Sequence, residues 1–146
     1  MKPILLACTT LAVLLLPFAS ARPQDDEHEE TELAHQMETI EDTVKLLRKH
    51  LKEPATWPQA LEALAEIERL SLACKALAPA SAEKLPEAER AAFVTAYRRT
   101  MVDFLMRQLE LEAALLDGDA EATKAAFDRF RAMEDSAHER FAPEDG

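Results

Sequence analysis

Apolar residues recur along this chain at helical spacing, in four separate stretches. The clearest begins at Leu33 and continues through Met37, Ile40, Val44, Leu47 and Leu51, in alternating steps of four and three. Such steps place the side chains on one seam of an α-helix, and Glu41, Asp42, Lys45, Arg48 and Lys49 fill its other faces. Glu53-Pro54-Ala55-Thr56-Trp57-Pro58 ends the pattern, because proline cannot continue a helix interior. A second helix is expected from about Pro58 to Leu77, with Leu61, Leu64, Ile67, Leu70, Ala73 and Cys74 on a broad apolar face. After a loop from Pro79 to Leu85, Pro86 opens a third helix that runs to about Leu116 through Phe93, Tyr97, Met101, Phe104, Leu105, Leu111 and Leu115. The last, from Asp119 to about Phe141, carries Phe127, Phe130, Met133, Ala137 and Phe141 on one stripe, which Ala120 extends backwards.

Between the last two helices stands Asp117-Gly118-Asp119. Glycine suits the left-handed position that closes one helix, and the second aspartate suits the cap that opens the next. A connection this short forces antiparallel neighbours. No alternating strand pattern, internal repeat or glycine-rich nucleotide motif interrupts the helices. The expected fold is all-α, an antiparallel up-down-up-down four-helix bundle over residues 32–142.

The ends of the chain are of another character. Lys2, the apolar run Ile4 to Phe18 and the small residues Ala19-Ser20-Ala21 have the three-part layout of a secretory signal, so residues 1–21 are read as a cleaved leader. Only Ile4 to Ala7 separate Cys8 from Lys2-Pro3, too few for a lipoprotein signal. Residues 22–31 form an acidic, disordered lead and residues 143–146 an acidic tail. The whole chain has 17 basic and 28 acidic residues. Losing Lys2 with the leader leaves 16 against 28, a net charge of −12, which disfavours nucleic acid and anionic membranes and suits a basic partner. Cys8 also leaves with the leader, so Cys74 has no intramolecular disulfide partner and is read as a small buried hydrophobe.

In the expected topology the start of the first helix and the end of the fourth share one end of the bundle. Met37 lies near that start and His138 near that end, so a thioether and an imidazole can face each other across an apolar slot. This is an axial pair for a six-coordinate haem iron, and Tyr97, Met101, Phe104 and Phe130 can wall the slot. The other histidines are read as ordinary surface residues: His28 in the acidic lead, His35 turned about 200° from Met37, and His50 favourably placed at a helix C-terminus. Glu32-Leu33-Ala34-His35 has the Glu-x-x-His spacing of di-iron bundles, but no second copy exists to complete such a site. No hydrolytic triad is discernible.

From Leu33 to Phe141 the chain resembles the soluble cytochrome b562 family, periplasmic four-helix haem proteins. The residues that carry the resemblance are Met37-Glu38-Thr39-Ile40, the turn at Gly118, the spacing from Gly118 to His138, and Ala137-His138 followed by Phe141. The resemblance implies Met37 and His138 as axial ligands and a haem-packing wall that includes Tyr97 and Phe104. The chain departs from the family pattern at Glu134, where an arginine would precede the axial histidine, and in the acidic Pro143-Glu144-Asp145. The absence of Cys-x-x-Cys-His makes any haem non-covalent.

The expectation is therefore a periplasmic, monomeric electron carrier holding one haem b per chain. It would have no substrate turnover and no membrane insertion after leader cleavage, and it would serve a redox partner protein of basic character. The alternative is a haem-free bundle acting as a periplasmic binding or stress-related module.

Overall fold

The computed structural model describes residues 31–141. The expected leader, nearly all of the acidic lead and the tail lie outside these residues. Four helices pack together, with no strand among the described residues: α1 (Glu32–His50), α2 (Trp57–Cys74), α3 (Glu87–Leu116) and α4 (Ala120–Phe141). None is long and apolar enough to cross a membrane.

α1 starts where Thr31, assigned to the lead from sequence, caps it, its hydroxyl accepting the Ala34 N–H at 3.2 Å. Glu32 in the first turn and Arg48, Lys49 and His50 in the last complement the helix dipole. The seam read from sequence is the buried one: Leu33, Ile40, Val44 and Leu47 are in the core, and Met37 and Leu51 pack half-buried against it. A single 3-10 turn, Pro54–Thr56, follows, pinned by the Thr56 hydroxyl to the His50 and Glu53 carbonyls at 2.7 and 2.9 Å.

α2 ends at Cys74, three residues before the expected Leu77. There the chain tightens, Ala76 N–H reaching the Ala73 carbonyl and Leu77 N–H that of Cys74. Pro79 then excludes helical geometry at the residue before it. The α2–α3 connection is not plain loop either, since Ala80–Lys84 forms a second 3-10 segment.

The turn between α3 and α4 has the chemistry expected of its three residues. Gly118 adopts φ +71°. Its N–H bonds the Leu115 carbonyl at 3.1 Å, and the Asp119 N–H reaches that of Ala114 at 3.3 Å. These two bonds form a Schellman motif. Asp119 Oδ1 accepts the Ala122 N–H at 2.9 Å and so caps α4.

The buried line of α4 differs from the expected stripe. It runs through Thr123, Ala126, Phe130, Glu134 and Phe141, while Phe127 and Met133 flank it half-buried and Ala120 is exposed. α3 likewise buries Gln108, whose amide donates to Ser71 Oγ of α2 at 2.9 Å. Gln108 and Ser71 thus form a polar pair in the core, and each would leave the other unpaired if replaced alone.

Close backbone packing joins α1 to α2, α2 to α3 and α3 to α4. α1 and α4 approach one another less closely. The cavities described below draw walls from both of these helices.

Candidate functional site

A cavity of about 330 Å³ opens between α1, the α2–α3 connection, α3 and α4. Met37, Tyr97, Met101 and His138 all line it. Its volume lies at the lower end of ligand-binding pockets. A smaller void of about 30 Å³, lined by Met37, Ile40, Met101, Phe104, Glu134, Ala137 and His138, adjoins it. Four of the seven residues of that void are shared with the large cavity, and the other three lie within one turn of a shared residue on the same helix.

Each wall follows from local sequence. Met37 continues the core seam of α1 but stays half-buried, because what lies opposite it is cavity rather than packed side chain. His138 is exposed on the last turn of α4 and contributes to both voids. Tyr97 and Met101 come from the buried seam of α3. The Tyr97 hydroxyl donates to the Cys74 carbonyl at 3.0 Å, and burial pushes its ionisation well above the ordinary phenol value. It is a fixed neutral wall. Cys74 itself is buried, its thiol donates to Gln36 Oε1 at 3.4 Å, and burial raises its pKa to about 11.

Phe130 lines neither void. It is fully buried and stacks on Phe104, ring centroids 5.2 Å apart, so it supports the wall from behind. Phe141 lines the large cavity and meets Tyr97 and Phe93 edge-on at 5.5 and 5.3 Å.

Sequence reasoning missed the residues that close the cavity. Pro79, Ala80, Ser81 and Lys84 form part of its lining. Ser81 Oγ donates to the Phe141 carbonyl at 3.0 Å and ties the α2–α3 connection to the end of α4. Small residues in a proline-bounded loop carry no periodic signal, so nothing local announces that they fold over the bundle end.

On the solvent side lies a polar recess of about 200 Å³ lined by Glu41, Lys45, Arg48, Arg131, Glu134, Asp135 and His138, with Val44. Glu134 is buried and paired with Arg131, which also reaches Asp135 at 3.5 Å. Burial raises the Glu134 carboxyl above the ordinary range, opposed by the positive charge of Arg131 and, less strongly, of His138. Arg140 points elsewhere, its guanidinium 5.1 Å from the Phe141 ring centre.

Chemically, the large cavity offers a soft thioether and an imidazole from different helices, in a mostly apolar and aromatic enclosure. That donor pair suits a transition-metal centre carried on a flat apolar ligand. No protein-family model and no curated protein matches the chain.

Proposed function

We propose that the protein is an exported b-type cytochrome of the cytochrome b562 kind, holding one non-covalent haem per chain between Met37 and His138. The observation that carries this reading is that both side chains, far apart in sequence, line the same aromatic-walled cavity. The donor types suit the group, and the lining of the enclosure is mostly apolar and aromatic.

An antiparallel up-down-up-down order of the helices belongs to the proposal. It is supported by the three-residue α3–α4 turn and by the pairs Gln36–Cys74, Tyr97–Cys74 and Ser81–Phe141. These pairs gather the start of α1, the end of α2, the first half of α3 and the end of α4.

When bound, haem supplies a one-electron iron couple whose potential a thioether ligand raises relative to two imidazoles. The chain's own residues do the rest. Met37 and His138 would occupy both axial positions and leave none for substrate, which makes electron transfer without turnover the natural activity. Tyr97, Met101 and Phe104 would exclude water from the ring, with Phe130 bracing Phe104. At the polar recess Arg131 is engaged by Glu134 and Asp135 and Lys45 by Glu41 and Asp42, so Arg48 would offer positive charge to carboxylates there, and the acidic surface would attract a basic redox partner. Export to the periplasm rests on the leader-like residues 1–21.

Glu134 keeps a second reading in play, a haem-free bundle acting as a periplasmic binding or stress-related module. Its buried carboxyl borders both the polar recess and the small void, and would disfavour an anionic group placed beside it.

Haemin titration of the purified protein separates the two. A low-spin spectrum with sharp reduced α and β bands is expected, lost in His138→Ala and changed in ligation state in Met37→Ala. A free-haem spectrum indifferent to both substitutions would overturn the assignment.

A further inference from the structure

α3 carries two apolar seams. One, through Tyr97, Met101, Phe104, Gln108, Leu111 and Leu115, is buried in the bundle. The other steps four, three, four and three through Val102, Met106, Leu109, Ala113 and Leu116. At 100° per residue it lies about 140° round the helix from the first. Val102 is 40% exposed, Met106 and Leu109 53% each and Leu116 67%, and Ala113 is exposed as well. A solvated helix face has no reason to hold a heptad register across two heptads, whereas a face that packs on another helix does.

Charge indicates what that other helix is. Arg99 and Asp117 flank the seam, one beyond each end. They are eighteen residues apart, five whole turns, and so lie on the same flank. Both are exposed, and the Arg99 contact within its own helix, to Asp103, is long at 3.8 Å. The midpoint of Arg99 and Asp117 falls at residue 108, and that of Val102 and Leu116 at 109. A second copy of α3 laid antiparallel about residues 108–109 therefore brings Arg99 to within one residue of the partner's Asp117 twice, with the two seams in register to the same margin. A parallel pairing would bring arginine level with arginine and aspartate level with aspartate, with no opposite charges meeting. Self-complementarity of this kind is the signature of a twofold, isologous interface.

We propose that the outer face of α3 is a homodimer interface, antiparallel and centred at Leu109, in place of the monomer expected from sequence. The seam from Val102 to Leu116 is about 21 Å long. Two such strips with their flanking charges bury of the order of 1,000 Å² in total, the lower bound for a specific pair. The dimer is accordingly weak, with a dissociation constant in the micromolar range. The inference does not depend on haem.

Sedimentation velocity of the purified full chain from about 1 to 300 μM tests it. A monomer–dimer equilibrium is expected, and Leu109→Glu should raise the dissociation constant at least tenfold with unchanged helical circular dichroism. Arg99→Asp and Asp117→Arg should each weaken association, and the double exchange should restore it. A protein monomeric throughout that range, or a dimer that survives Leu109→Glu, would overturn the interface. Failure of the double exchange to restore association would overturn its antiparallel register.

Discussion

At the scale of single residues, Glu134 is the position where the chain departs furthest from simple packing. It occupies a seam position that helical periodicity would give to an apolar residue, and it is only 6% exposed. Desolvation raises its carboxyl above the ordinary value despite Arg131, so the fold favours the protonated form. That contribution is complete below the unfolded-state carboxylate value. It is lost as pH rises through the raised folded value. Glu134→Gln, which keeps the shape without the charge, should therefore stabilise the haem-free protein at pH 7, with the gain vanishing in acid. Urea unfolding of both proteins at pH 7 and pH 4 checks this, and a destabilised variant at pH 7 would mean that the Arg131 pair outweighs burial. The surplus of acid near the site is visible in sequence. Its burial is not, because only the register of α4 against the core decides which of two adjacent stripes points inward.

At the scale of elements, the helix boundaries follow local chemistry where a cap or breaker exists and drift where none does. Gly118 is the sharpest case. With φ +71° and nothing within 4 Å of an added Cβ, a substitution there meets backbone strain alone. Gly118→Ala should cost about 1 kcal/mol, read as a lower urea midpoint with an unchanged slope; a neutral effect would mean that the turn relaxes into another geometry. The end of α2 was less legible. Its apolar residues continue to Leu77, but the proline at 79 and the tightened turn stop the helix at Cys74. In α3 one apolar period is enough to identify a helix, so the second seam on its outer face adds nothing to that identification and shows itself only by its exposure.

At the scale of the whole molecule, the α1/α4 side is the least tightly joined. α1 and α4 lack the close backbone packing that joins the other neighbours, and the described cavities all draw walls from both. A ligand spanning that side links elements that the polypeptide alone couples weakly, and binding to the folded state adds stability by mass action. Amide hydrogen exchange near Leu33–Met37 and Ala137–Phe141 should therefore slow by at least tenfold on addition of haemin. Exchange around Leu111, deep in the core, should change least. Uniform slowing along the chain, or none at the α1 and α4 ends, would place any bound haem elsewhere.

The sequence alone determined that this protein is helical, that four amphipathic stretches form it, and where the α3–α4 turn lies. These are consequences of period, proline, glycine and capping, all local within about one turn of helix. It also supplied Met37 and His138 as a candidate pair, through a resemblance and an argument from topology. Only the tertiary structure decided that both line one cavity, that Phe130 stands behind its wall, and that the α2–α3 connection closes it. It also decided that Glu134 and Gln108 are buried. Those features depend on how far apart helices stand and how each is rotated about its axis. Such quantities arise from the summed packing of the whole core, and no single stretch of chain encodes them.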